Sequence, residues 1–278
     1  MLLVNFPSIE GCRRLSEEFK AAFMKDFRSY IRYPAWLIGD LVSTPLWYFF
    51  FAVGVTLFAP TTQTSEYHGS SFFFFGFIFI VLFSTIIWGV GQSVRNEQMA
   101  GTLEQFFLAP ANRLTLIMGR WARIFVTDLL VIGYTAVLFR LFGGGPLPLY
   151  EPALFAFALG LFEVGSVGFG VLFAGLTMKL KSYTTLSNLI FFGYMILTGA
   201  LVPVNVIPLP YRYVCLVIPF TYFIDLMRHA ALLTPTILPE SLEYLTGIIV
   251  AVIMFLVGLI TFNWIEQDAR VRGSIATN

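Results

Sequence analysis

Residues 72–94 run for 23 positions without a charged side chain, and that is enough chain to cross a bilayer core of about 30 Å as a helix. Similar runs recur along the sequence. They place spans at about 36–58, 72–94, 124–142, 153–176, 185–202 and 246–264. A water-soluble chain would need far more polar surface than this one has, with 58% hydrophobic and only 12% charged residues against about 25% charged in an ordinary soluble domain. The predicted fold class is an all-α polytopic membrane protein with six transmembrane helices. The opening residues 1–7 have neither a basic stretch nor a long apolar one, so the spans themselves are expected to direct insertion.

Orientation follows from the distribution of basic residues, not from the net charge of +1. Segments 1–35, 95–123, 177–184 and 265–278 carry 14 of the 17 lysines and arginines. The positive-inside bias then puts both termini in the cytoplasm. Within 1–35, Leu15, Phe19, Phe23, Phe27, Tyr30 and Ile31 recur every three or four residues. This stripe predicts an amphipathic helix lying in the interface, with its phenylalanines in lipid and its bases near headgroups. The spans occupy 36–264 and a short cytoplasmic tail follows at 265–278.

Two segments do not fit simple spanning. Residues 203–245 hold apolar pieces too short to cross, broken at Pro208, Pro210 and Pro219. They predict outer re-entrant helices before the last span. Asp225 and Arg228, three positions apart, are placed to pair on one face. The other segment, 95–113, is polar, amphipathic and bracketed by arginines between two apolar runs.

Ionisable residues within spans are costly unless paired or hydrated. This makes Glu163, deep in the fourth span, with Asp40 and Asp128, candidates for a translocation path. Glu163 also reads as a structural hydrogen-bond partner, and Asp40 and Asp128 as carboxylates solvated at the interface or paired at a helix end. The phenylalanines of 72–83 are expected to be mainly lipid-facing and packing surface, the other reading being that some line a route for an apolar or sugar-bearing substrate. Ser166, Gly170 and Ala174, with Gly160, Gly165, Gly168 and Gly175 nearby, predict close helix packing.

Little in the chain points to catalysis. Gly143-Gly144-Gly145-Pro146 lacks the Gly-Lys-Ser/Thr end of a phosphate loop. The two histidines, His68 and His229, stand apart. No catalytic residue, metal site or nucleic-acid surface is predicted.

Glu97-x-x-x-Gly101-Thr102-Leu103-Glu104, followed by Pro110 and a return into the third span, resembles the cytoplasmic loop of type-2 ATP-binding-cassette exporter permeases. Leu209-Pro210, then Pro219-Phe220-Thr221-Tyr222 and Arg228, resembles that family's outer motif. Within the family the chain looks most like the drug-resistance and lipo-oligosaccharide export branch. The resemblance implies a permease that dimerises, as a homodimer or with a related second permease, and binds two copies of a separate ATPase. ATP and Mg would be held by that ATPase and no cofactor by this chain. It places the protein in the cytoplasmic (inner) membrane of a prokaryote. It also makes 95–113 a coupling helix seated in an ATPase cleft. The residues suit that role: Met99, Leu103, Phe106 and Phe107 make an apolar stripe for a groove, Glu97 and Glu104 offer carboxylates, Gly101 permits close approach, and Pro110 ends the helix. The implied cargo is amphipathic, lipid-linked, glycan-like or drug-like. The competing readings are an ATP-independent secondary transporter or channel, and a membrane scaffold that transports nothing.

Overall fold

The computed structural model describes residues 9–58, 70–91, 112–142, 145–179 and 183–272, and every regular element among them is helical. In chain order these are α1 (Ile9–Arg32), α2 (Pro34–Phe58), α3 (Ser70–Thr85) running into a π-helical turn at Ile86–Gly91, α4 (Arg113–Leu141), α5 (Pro152–Lys179), α6 (Tyr183–Leu197), α7 (Leu209–Val217), α8 (Pro219–Leu232) and α9 (Glu240–Arg272). Among the described residues five helices are long and apolar enough to cross a membrane, and a sixth span is reached if α7 and α8, bent by 95°, count as one.

α3 stands at the centre. Its Phe72, Phe74, Phe75, Phe77, Phe79 and Phe83 are buried among Phe162, Phe220 and Phe223. Of the lipid-facing and packing roles expected of them, these rings take chiefly the packing one. Edge-to-face contacts such as Phe83–Phe220, with centroids 4.9 Å apart, organise the cluster. In lipid the hydrophobic effect gives no advantage to helix–helix contact over helix–lipid contact, so close packing and buried polar bonds must hold the helices together.

The small residues of α5 supply the closest approach. Its most extensive partner is α9, and a Cβ added at Gly168 would collide with the Met254 carbonyl while one at Gly258 would collide with the Gly168 carbonyl. The backbones touch there.

The fifth expected span is shorter than its apolar run implied. α6 has 15 residues, about 22 Å at 1.5 Å per residue, and stops at Leu197. Gly199, at φ +82°, takes the left-handed conformation that glycine alone adopts without penalty. The chain then turns back through Ala200 toward α7.

α1 is also set differently. It was expected to rest its phenylalanines in lipid, but it lies along α4. Gly119 has no side chain and meets Ala22 and the backbone of Phe19 and Phe23. Part of the apolar stripe is thus half-buried against protein, while Phe19 and Ile31 stay exposed.

Candidate functional site

At the α1 end of the bundle, α4 begins at Arg113 because Asn112 caps it. The Asn112 side-chain oxygen accepts from the amides of Leu114 at 3.0 Å and Thr115 at 3.4 Å, satisfying donors that a helix start leaves open. The Asn112 backbone N–H donates to Glu18 of α1 at 2.9 Å, and Glu18 is in turn held by Arg14 at 3.0 Å. Two turns further along α4, Arg120 pairs with Asp26 at 2.9 Å. Two polar ties and the Gly119 contact therefore clamp α1 to the start of α4, directly after the 95–111 segment.

Above this clamp lies a crevice of about 740 Å³ between α1, α2, α3 and α4. It carries charges of both signs: Arg120 and Arg123 face Asp26, Asp40 and Asp128. It continues into an aromatic slot of about 450 Å³ between α2, α3, α4 and α6. Asp40, Ser84, Thr85, Trp88, Thr127 and Asp128 line both spaces. The π-helical turn that carries Trp88 is a local widening of the kind common at functional sites.

Two of the three predicted path carboxylates are thus brought to one place. Asp40 accepts from the Tyr30 hydroxyl at 2.7 Å, and Asp128 accepts from the Thr85 hydroxyl at 2.6 Å. Burial, reinforced by the hydrogen bond to Asp40, pushes the Tyr30 hydroxyl well above the ordinary phenol range, so it stays a donor across physiological pH. Arg123 stacks over the Tyr30 ring at 5.3 Å. Its Nε is buried without a partner, and it makes no ion pair among the described residues.

Tyr30, Thr85 and Arg123 were not singled out from sequence. The adjacent hydroxyls Ser84-Thr85 inside an apolar run were the one available signal. By its spacing Tyr30 belongs to the apolar stripe of 1–35, which hides its polar end.

Glu163 is not brought into this site. It is 6% exposed and accepts from the Trp121 indole N–H at 3.2 Å; its other oxygen has no partner. Neither the crevice nor the slot is lined by it. Glu163→Gln keeps an oxygen to accept from Trp121, so the melting temperature of the purified protein is expected to hold. A drop of several degrees would reveal a partner for the second oxygen.

At the other end, the prolines of the bent pair act as helix starters. Pro208 precedes α7, Pro210 sits in its first turn, and Pro219 opens α8, positions where a missing N–H costs nothing. The bend between the helices is stapled by side chains: Thr221 donates to the Cys215 carbonyl at 2.7 Å, and Tyr222 to the Leu216 carbonyl at 2.8 Å. These satisfy carbonyls that the end of α7 leaves open.

The expected Asp225–Arg228 pair is not formed. Arg228, 3% exposed, donates to the carbonyls of Gly199 and Ala200, both at 2.7 Å, and lies 3.6 Å from the Phe72 ring centroid. Asp225 accepts from the Ile237 amide at 2.8 Å. The broken backbone at the end of α6 presents bare carbonyls. A planar guanidinium satisfies two of them at once, which draws Arg228 away from a carboxylate on its own helix.

The coupling-interface residues Glu97, Met99, Gly101, Thr102, Leu103, Glu104, Phe106, Phe107 and Pro110 lie outside the described residues. Among the described residues no group of three or more His, Cys, Asp or Glu side chains is placed to hold a metal ion.

A family model described as ABC-2 type transporter matches residues 17–232. No curated protein matches the chain.

Proposed function

The chain belongs to the ABC-2 type transporter family, and we propose that it is the permease subunit that exports an amphipathic, lipid-linked or drug-like substrate under the drive of a separate ATPase. The family match makes it the membrane-spanning transport subunit and not the nucleotide-binding one, and ABC-2 permeases normally work with an ABC ATPase. Export as the direction, the class of cargo, two ATPase copies and a dimer of permeases are our reading. So are cytoplasmic termini and residence in the inner membrane of a prokaryote.

The observation that carries the reading is the clamp at the start of α4. In our proposal, residues 95–111 seat in the ATPase, whose bound ATP and Mg drive closure. The chain leaves that segment at Asn112, which is bonded at once to Glu18 of α1. Displacement of the seated segment is then delivered to α4 and α1 together, since Arg120–Asp26 ties them again further up. Tyr30 passes it to α2 through Asp40. The three helices that move are three of the four that wall the crevice, so a rigid-body shift at the clamp against α3 changes the opening of the slot.

Gly101→Trp and Glu104→Arg test this. Each is expected to reduce co-purification with the ATPase by about tenfold or more, about 1.4 kcal/mol or above, while the permease still inserts and melts as before. Undiminished ATPase binding and transport in both variants would sink the assignment.

A further inference from the structure

The slot and the crevice differ in one respect that bears on the cargo: their charge. The crevice has arginines to balance its carboxylates, with Arg120 already paired to Asp26. The slot has none. No lysine, arginine or histidine is among the residues lining it, yet Asp40 and Asp128 both are. Neither carboxylate makes an ion pair among the described residues; each has one oxygen held by a hydroxyl. Asp128 is 8% exposed. Both carboxylates also line the crevice, where Arg123 faces them without forming an ion pair among the described residues. A carboxylate at membrane depth with no paired cation is poorly compensated.

Aromatic rings make up much of the rest of the wall, among aliphatic and hydroxyl side chains: Trp47 and Phe51 stack with centroids 5.7 Å apart, and Phe77, Trp88, Phe191 and Phe192 join them. Aromatic faces attract cations whose hydration is weak. They repel anions. The volume of about 450 Å³ falls in the range of about 300–1,000 Å³ that holds drug-sized molecules. Trp47 and Phe192, each more than half exposed, leave the slot open between α2 and α6, so a membrane-soluble ligand has a way in.

We propose that this slot binds a lipophilic organic cation, with Asp40 and Asp128 as its counter-charges and the Trp47–Phe51 and Trp88 faces against its apolar body. As a statement about cargo this rests on the transport reading; as a statement about binding it stands without the ATPase.

The test uses the full chain in nanodiscs of neutral phosphatidylcholine. Tetraphenylphosphonium is measured first and then, separately, tetraphenylborate, an ion of nearly the same size and shape with the opposite charge. Saturable binding of the phosphonium and no saturable binding of the borate are expected. Asp40→Asn and Asp128→Asn, which keep an acceptor for Tyr30 and Thr85, are each expected to weaken phosphonium binding by about tenfold or more. Trp88→Leu is expected to weaken it as well, and Glu163→Gln, outside the slot, to leave it unchanged. Non-saturable phosphonium uptake, borate binding of equal strength, or unchanged binding in both asparagine variants would overturn the proposal. If a variant melts early, the phosphonium–borate comparison on the unaltered chain still decides it. Phosphonium binding without ATP-fuelled transport in the presence of the ATPase would defeat the transport reading and leave the site standing. Transport of another cargo with no phosphonium binding would do the reverse.

Discussion

Arg228→Ala is expected to lower the unfolding free energy by roughly 3–5 kcal/mol, since it removes two charge-assisted hydrogen bonds worth about 1.5–3 kcal/mol each and one desolvated cation–π contact of about 2 kcal/mol. The loss is less than the sum because the alanine variant no longer buries a guanidinium. The carbonyls of Gly199 and Ala200 are left without donors at a depth where water does not replace them. Arg228→Lys separates charge from geometry. An ammonium on a flexible stem reaches one carbonyl but does not span two in the planar way that guanidinium does, so it is expected to recover about half of the loss. Arg228→Met, which keeps the volume and the contact with Phe72, is expected to recover less than lysine. The measurement is thermal unfolding in one detergent across the set. An alanine variant that melts with the unaltered protein would show that the turn at 199–200 is held by something other than Arg228.

The same residue marks where sequence reasoning stopped. Helices, their order and the amphipathic start were legible because apolar runs and three-to-four spacing act within a few residues of one another. The prolines at 208, 210 and 219 announced helix starts for the same local reason. Arg228 was assigned to Asp225 because that pairing is also local. Its actual partners are 28 and 29 positions away and are backbone carbonyls, which no residue type advertises. The end of α6 at Leu197 was hidden in the same way: residues 198–202 are as apolar as the helix before them, and only the left-handed Gly199 breaks the pattern.

The site divides similarly. Asp40 and Asp128 stood out as charges inside apolar runs. Nothing in a linear reading said that they share a slot or that Glu163 does not. That follows from which helix faces which, and from Tyr30 turning its hydroxyl toward α2 while its ring stays on the apolar stripe. The aromatic run of 72–83 was ambiguous for a reason peculiar to membranes: a phenylalanine facing lipid and one facing another helix look identical in composition.

Gly258→Leu is expected to be the most damaging substitution on α9. A Cβ at Gly258 would land on the carbonyl and Cα of Gly168, and backbone cannot swing aside as the end of a side chain can. Even Gly258→Ala must push α5 and α9 apart, with an overpacking cost of about 1–3 kcal/mol, and leucine adds bulk along the whole crossing. This is the bundle's most extensive helix contact, and α5 also carries Gly165 against the Phe223 ring of α8. Separation at α9 is therefore expected to loosen the bent pair too. Gly160→Ala on α5 is the control. Nothing lies within 4 Å of its added Cβ, so the gain in helix propensity of about 0.5–1 kcal/mol is expected to appear as an unchanged or higher melting temperature. If Gly258→Leu melts no earlier than Gly160→Ala, the two backbones are not in contact at Gly168, and what joins α5 to α9 must be sought in their side chains.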